Sequence, residues 1–466
     1  MAIHLFARVP SEQAAAQTPA ERDRVVDAAR AVSLLIVVLG HGFMAVVGWD
    51  QGVPKVGNVL AAYSWTQVVT WVFQIIPLFF FAGGAANTIF WDRHVSRGGA
   101  FPEWIWSRAQ RLLRPVWIYL LVMGVVALSI GQFVSRPVAV PLLFIATQLL
   151  WFLGSYLLVT ALTPLFPLRS NARSAYYVLL LIVTCGVVDV LRLLVHLPIF
   201  GLLNFVFVWA LPAYLGSLRA RGILERYSKQ FLLVILFSAV LINALLIKFG
   251  PWPLSLVGMP GDKISNMAPP TIVLALHSVV WICAVTLLNA PLTRLLLREN
   301  IWRPVTGVNL SAMTLYLWHL PVLTSLLATS HVLGMDRPTK IGRDGYAYPD
   351  GWGYFVESIP FWFVFALGVW AVVRLLWPIE HIALLWWDSV PHSAQPSARI
   401  AQISVVLGAS GAGVGLLMLS ATGLGGFPVR ILRFAGVPLN SAFAIAILVL
   451  SGVLIRWAGT ARPLNR

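Results

Sequence analysis

Two ionisable side chains that could take part in a reaction lie in the first apolar stretch of the chain. Arg30 and His41 are eleven positions apart, which places them within about 20° of one helix face and about 16 Å apart along the axis. Histidine exchanges a proton near neutral pH, and arginine binds anions. Alternatively, Arg30 snorkels to the membrane surface and His41 is a structural histidine. Their shared face favours a joint role, and Asp27, one turn before Arg30, is expected to pair with it.

Other ionisable groups in apolar stretches define further candidates, because charge inside a membrane is costly. Asp189 and Arg192 are one turn apart and predict an internal ion pair, although a place beside His41 is the alternative. Ser311, Tyr316 and His319 share one stretch and are expected to line a site, with hydrogen-bonded structural roles as the alternative. His277 is predicted to be a packing residue. No metal site and no tightly bound cofactor is expected.

The elements that position these residues are predicted to be membrane helices. Of the 466 residues, 59% are hydrophobic and 11% charged, against about 25% charged in soluble domains. Spans of about 20 apolar residues recur along the chain and predict an all-α, polytopic bundle of about ten to twelve transmembrane helices. We expect an N-terminal tail at 1–27, a core at 28–330, and further helices with a C-terminal tail at 331–466. The apolar stretches are 28–48, 66–91, 112–131, 138–163, 175–195, 199–217, 230–248, 271–290, 307–330, 353–378, 400–421 and 434–456.

The positive charge of the chain is concentrated in alternate loops. The formal net charge is +16, but its basic residues cluster between apolar spans, as the positive-inside rule requires of cytoplasmic loops. This pattern excludes nucleic-acid binding and predicts that both termini are cytoplasmic. The longest outward loops, 249–270 and 331–352, either cover a site or are ordinary surface loops. Cys185 and Cys283 lie in apolar stretches, where they predict packing rather than a disulfide or a metal cluster.

Three segments together resemble the acyltransferase-3 family of integral membrane acyltransferases. The first is Arg30, ten residues and then His41; the second is the FFFAGGAA stretch of the second span with the basic segment 108–115 after it; the third is SAMTLYLWHLP at 311–321. The segments 204–216 and 257–271 are similar to an actinobacterial-type subgroup of that family. The resemblance covers about residues 22 to 330 and implies O-acyl transfer from an acyl-coenzyme A, with acetyl expected, to a hydroxyl.

Acyl transfer to a hydroxyl needs a base for the acceptor proton and positive charge for the phosphates of the donor. The resemblance implies that His41 is this base, with Arg30 as a second catalytic residue. Arg108, Arg111 and Arg114 recur on one helical face and are expected to bind the donor phosphates, or else only to set the topology.

The expected partners are the bilayer of the cell inner membrane, the acyl-coenzyme A donor, and a glycan, glycolipid or lipid acceptor of the cell envelope. Two alternatives remain open. One is a transporter or flippase in which the same His, Asp and Arg form a proton relay. The other is a tailoring acyltransferase whose small acceptor stays on the cytoplasmic side.

Overall fold

The computed structural model describes residues 10–166, 171–389, 396–427, 431–434 and 437–460, and these are mostly helical. Residues 1–9 and 461–466 of the two predicted tails lie outside this range. The helices are α1 (Ser11–Ala16), α2 (Arg24–Met44), α3 (Val59–Ala62), α4 (Thr66–Phe73), α5 (Ile76–Ser96), α6 (Phe101–Phe133), α7 (Arg136–Thr147), α8 (Leu150–Ala161), α9 (Asn171–Leu193), α10 (Asn204–Ala220), α11 (Lys229–Phe249), α12 (Ile272–Leu287), α13 (Asn289–Leu296), α14 (Glu299–Leu310), α15 (Ala312–Val332), α16 (Gly351–Glu380), α17 (Leu385–Asp388), α18 (Ala398–Thr422) and α19 (Ser441–Gly459).

The described residues also form three short β-hairpins. Each consists of two antiparallel strands: β1 (Ala45–Asp50) with β2 (Val53–Asn58), β3 (Thr339–Ile341) with β4 (Ala347–Pro349), and β5 (Ile431–Phe434) with β6 (Val437–Asn440). β1 follows α2 without a break, so the first apolar stretch ends as a helix at Met44 rather than at residue 48.

The predicted transmembrane bundle is confirmed. Within the described residues, eleven helices are long and apolar enough to cross a membrane, and α12 with α13 forms a twelfth span if this pair, bent by 64°, is counted as one. Large apolar side chains such as Leu121, Phe237 and Phe363 remain exposed on the outside of the bundle. Such a surface suits lipid rather than water as the solvent.

The centre of the bundle is held by unusually close helix packing. A Cβ atom added to Gly84 of α5 would lie 1.9 Å from the carbonyl oxygen of Ala213, and one added to Gly216 of α10 would lie 1.9 Å from that of Phe81. Only glycine therefore permits this approach of α5 to α10, as is common between helices in membranes. The contact fixes the Phe-rich second span in the core.

The predicted span 307–330 is divided into two helices at Ser311. α14 carries Glu299, Arg303 and Asn309, and this polar content does not suit the hydrocarbon core. Its Arg303 forms a salt bridge with Glu12 of α1, which belongs to the predicted N-terminal tail. The tail thus contains a helix that packs on α14, and the apolar span begins only with α15.

Loops that are predicted to be cytoplasmic meet at one face of the bundle. Arg219, in the last turn of α10, forms salt bridges with Asp23 at 2.8 Å and Glu225 at 2.9 Å. Arg221 pairs with Asp92 at the end of α5 at 2.5 Å. The salt bridges of Arg219 and Arg221 therefore join α2, α5 and α10 at this end of the bundle.

At the opposite face, two hairpins form a cap. β1 contacts both β3 and β4, so the loop after α15 covers the loop after α2. A small buried cluster lies inside the cap and consists of Val46, Val59, Ala347 and Tyr354. The predicted outward loop 331–352 is therefore an ordered element that is packed against the end of α2.

Candidate functional site

The site is built on α2, whose first turn is fixed by Asp23. The Asp23 carboxylate accepts hydrogen bonds from the amides of Val25 and Val26, each at 3.1 Å, and so caps the helix. Arg30 and His41 then lie on this one helix, about 16 Å apart along its axis, as their spacing predicts. Arg30 lies near the face with the basic loops, and His41 lies about one turn before the end of the helix.

His41 contacts His319 of α15. The Nδ1 atom of His41 is 3.1 Å from Nε2 of His319, and the two rings are stacked with centroids 5.3 Å apart. His319 is completely buried, and it lies about two turns into α15. The two histidines, which are 278 positions apart in the sequence, thus form a pair between the hairpin cap and the basic face.

The surroundings of His319 determine how protons are arranged in this pair. Its Nδ1 atom lies 2.8 Å from the carbonyl oxygen of Tyr316 and 3.1 Å from that of Leu315. Both oxygens can only accept, so Nδ1 of His319 carries a proton and, in the neutral ring, its Nε2 is an acceptor. His41 must then donate from Nδ1. The remaining nitrogen of His41, Nε2, is left with a free lone pair and can act as a base.

Arg30 does not pair with Asp27, contrary to the prediction. Its Nε donates to Oδ1 of Asn309 at 2.7 Å, and the side-chain amide of Asn309 donates to the Asp27 backbone carbonyl at 3.0 Å. The Asp27 carboxylate instead receives two hydrogen bonds from Arg22, at 2.6 and 3.0 Å. Arg22 lies before the start of α2 and can reach around to Asp27, whereas the Arg30 side chain points toward α14.

The three arginines of α6 have different surroundings. The guanidinium groups of Arg108 and Arg111 lie 4.2 and 5.9 Å from the ring of Phe90. Among the described residues, the buried Nε of Arg108 has no hydrogen-bond partner. Arg114, by contrast, forms a 2.5 Å salt bridge with Asp388 of α17. Arg114 therefore joins two elements of the protein, and Arg108 and Arg111 remain as candidates for binding an anion.

Tyr156 of α8 lies near two arginines that are candidates for binding an anion. It lies within electrostatic range of both Arg30 and Arg108. Its ring packs against the backbone of Gly83, where an added Cβ would lie 2.5 Å from the ring. Arginines of α2 and α6 thus face a common region near the basic end of the bundle, and the sequence alone did not single out Tyr156.

Ser311 and Tyr316 mainly hold helix ends near the histidine pair. The Ser311 hydroxyl donates to the Gly307 carbonyl at 2.9 Å, at the junction of α14 and α15. The Tyr316 hydroxyl donates to the Leu149 carbonyl at 2.5 Å, at the break between α7 and α8. The Tyr316 contact fixes α15 one turn before His319, and neither hydroxyl contacts His41 in the structure.

Asp189 and Arg192 attract each other electrostatically, but the predicted ion pair is not a direct contact. Among the described residues no salt bridge joins the two, and Asp189 instead accepts from the amide of Ile272 at 2.8 Å and from the side chain of Asn204 at 3.0 Å. It thereby caps α12. Arg192 donates to the carbonyl of Pro269 at 3.3 Å. Both side chains stabilise the start of α12 rather than contact the histidine pair.

A buried carboxylate beside α15 was missed by the sequence analysis. Glu380, at the end of α16, is 4% exposed. It accepts a 2.5 Å hydrogen bond from the Thr314 hydroxyl and a 2.8 Å bond from the Trp318 indole. Trp318 directly precedes His319, so this carboxylate fixes the orientation of the turn that carries the histidine. A single Glu directly after the predicted apolar stretch 353–378 was the available signal.

Comparison with known proteins shows the family of the chain. The profile of the acyltransferase domain family named acyltransferase-3 matches residues 23–379. The matched region includes both histidines and Arg30, and it ends before α18 and α19. No curated protein and no solved structure gives a significant match. The chain belongs to the acyltransferase-3 family and is a membrane-bound acyltransferase with about eleven spans.

Proposed function

We propose that the protein transfers an acyl group, with acetyl expected, from acyl-coenzyme A to a hydroxyl of a cell-envelope glycan, glycolipid or lipid. We place it in the cell inner membrane with the basic face and both termini in the cytoplasm. The observation that carries the proposal is the contact of His41 with His319, which leaves one nitrogen of His41 available as a base. The family membership supplies the reaction class.

In this mechanism, Nε2 of His41 takes the proton of the acceptor hydroxyl as its oxygen attacks the thioester carbonyl carbon. The new C–O bond forms, the C–S bond breaks, and the proton passes from His41 to the departing thiolate, which leaves as free coenzyme A. His41 becomes cationic in between, and its Nδ1–H then donates to His319 as a charged donor. Such a hydrogen bond is about twice as strong as a neutral one. His319 thus stabilises the form of His41 that exists only during the reaction.

The donor is expected to lie between the two ends of α2. Its thioester must reach His41, whereas its phosphates need cations, and the long pantetheine arm of coenzyme A separates these groups. Arg30 is about 16 Å from His41 along α2, and both Arg30 and Arg108 lie near Tyr156. We assign the phosphates to Arg30, Arg108 and Arg111. Arg114 is excluded from this set because Asp388 neutralises it.

A pair of arginine variants on one helix tests the donor assignment. Arg111→Gln should raise the KM for acetyl-coenzyme A about ten- to hundredfold, because a hydrogen bond to a charged group contributes about 1.5–3 kcal/mol. Arg114→Gln is the matched control; it should lower the thermal stability and leave the KM unchanged. A raised KM in Arg114→Gln with a parental KM in Arg111→Gln would contradict the assignment.

The acceptor can be identified in cells. Mass spectrometry of envelope lipids and glycans should show species that are one acyl group lighter in a deletion strain than in the parent. Restoring the gene should restore the mass, and a His41→Ala copy should not. Identical envelope profiles, together with an acylated small molecule in the cytoplasm, would favour the tailoring acyltransferase instead.

A further inference from the structure

Arg337 is a buried cation in the outer loop between α15 and β3. It is 7% exposed, although arginine is almost never buried without a partner. No salt bridge of Arg337 is found among the residues that the structure describes. The charge must therefore be stabilised by groups other than carboxylates.

Aromatic rings and neutral acceptors supply this stabilisation. The guanidinium lies 4.0 Å from the ring centroid of Phe361 and 4.7 Å from that of Tyr354, both on α16. Cation–π contacts of this kind gain strength when they are removed from water. One nitrogen donates to the Ser358 hydroxyl at 3.1 Å. Arg337 is thus anchored to three residues of the first half of α16.

Its remaining contact is to the helix that carries His41. A second nitrogen of Arg337 donates to the carbonyl of Ala45 at 3.2 Å, one turn beyond His41. The last carbonyls of a helix lack intrahelical partners and carry partial negative charge, so a cation is favourable there. Two more side chains of α16 bind the same turn: the Tyr354 hydroxyl donates to Ala45 at 3.1 Å, and the Trp362 indole donates to Gly42 at 3.1 Å.

We propose that Arg337 is a positioning residue for His41, which fixes the final turn of α2 against α16 and thereby holds the histidine at His319. This inference rests on the proposed function, because it assigns Arg337 a role in the reaction of the same base. It also gives the outer loop 331–352 a function. The loop joins the outer cap to the turn of α2 that carries the base. The cap therefore helps to hold the histidine pair in position.

The experiment combines hydrogen–deuterium exchange with kinetics on the full-length protein in nanodiscs. Arg337→Gln should increase deuterium uptake in peptides that cover residues 41–50, and Arg337→Lys, which keeps a charge and a donor, should increase it less. The kcat for acetyl transfer from acetyl-coenzyme A should fall about 10- to 100-fold in Arg337→Gln, since a misplacement of about 1 Å costs up to that much. The KM for the donor should not change. Arg343→Gln, an exposed arginine of the same loop, is the matched control and should leave both measurements unchanged.

Hydrogen–deuterium exchange and kinetics together distinguish the role of Arg337 from the proposed acyl transfer. Parental exchange at 41–50 in Arg337→Gln would overturn the inference, and so would increased exchange with a parental kcat. If Arg337→Gln does not fold, Trp362→Phe removes the bond to Gly42 and keeps an aromatic ring beside Phe43, and the same criteria apply with smaller changes. A parent protein without acyl transfer would overturn the proposed function, whereas increased exchange in the variant would still support the contact of Arg337 with α2.

Discussion

Removing His319 while leaving His41 in place is the sharpest perturbation of the histidine pair. His319→Leu takes away the acceptor for Nδ1–H of His41, which lies 3.1 Å away in the parent. His41 keeps its base nitrogen but loses the partner that fixes its tautomer and ring orientation. Turnover should therefore fall without being abolished.

The size of the effect follows from the charge that His41 gains during the reaction. A neutral hydrogen bond contributes about 0.5–1.5 kcal/mol, and one with a charged group contributes about 1.5–3 kcal/mol. The difference of about 1–1.5 kcal/mol stabilises only the protonated state and corresponds to about tenfold in rate. Loss of ring orientation adds to this, so we expect kcat to fall about 10- to 100-fold.

The assay is transfer of labelled acetyl from acetyl-coenzyme A by purified protein in nanodiscs. His319→Gln is the informative companion, because its side-chain oxygen can accept from His41 near the position of the lost nitrogen; it should retain more activity than His319→Leu. The double variant with His41→Ala should be no slower than His41→Ala alone, since residues that act as one unit are not additive. Expression and thermal stability serve as folding controls.

Equal activity of His319→Leu and the parent would refute the reasoning. So would equal losses in His319→Leu and His319→Gln, because the hydrogen bond would then have no part in the effect. An additional loss in the double variant would show that the two histidines act separately.

Two further predictions concern the donor end and the topology. Asn309→Ala should raise the KM for acetyl-coenzyme A about ten- to hundredfold by releasing Arg30, which it holds at 2.7 Å; an unchanged KM would remove Arg30 from donor binding. An impermeant thiol reagent added to intact cells should label Lys340→Cys and not Arg97→Cys, because the basic loops are predicted to be cytoplasmic. Labelling of Arg97→Cys in intact cells would reverse the orientation.

The helices were predictable because membrane spans are long and apolar. The stretches that contain α2, α9, α11, α16 and α18 were placed within a few residues of their observed ends, since composition alone decides whether a segment enters lipid. The stretch that contains α19 was predicted to begin at 434, whereas β6 comes first and the helix begins at Ser441. Helix breaks were not predictable in this way. Ser311 divides an apolar stretch because α14 packs on α1, and that contact is long-range.

The site was predictable as a list of residues and not as a set of contacts. Arg30, His41 and His319 were singled out by their types and by the family resemblance. The pairing of His41 with His319 depends on contact between α2 and α15, which are far apart in the sequence. One-turn spacing also misassigned the direct partners of Asp27 and Asp189. The Asp27 carboxylate binds Arg22, five residues earlier, and the Asp189 carboxylate binds the amide of Ile272, which is distant in the sequence.

The arginines of α6 show the same limit. Arg108, Arg111 and Arg114 are equivalent by helical spacing, and nothing in their own segment distinguishes them. Only the position of Asp388, which follows α16 in the chain, separates the paired arginine from the other two. A prediction from periodicity can therefore identify a face of a helix. Which residue of that face is paired within the protein depends on the packed structure.

The central claim is that His41 is the base of an acyl transfer. The most direct test compares the parent, His41→Ala and Leu39→Ala, a lipid-exposed change on the same helix that is 59% exposed in the parent, for transfer of labelled acetyl from acetyl-coenzyme A in nanodiscs. A positioned base contributes about a hundred- to ten-thousand-fold to rate, so kcat of His41→Ala should fall by that factor, while the donor KM and the activity of Leu39→Ala stay near those of the parent. Near-parental turnover of His41→Ala in well-folded protein would contradict the account.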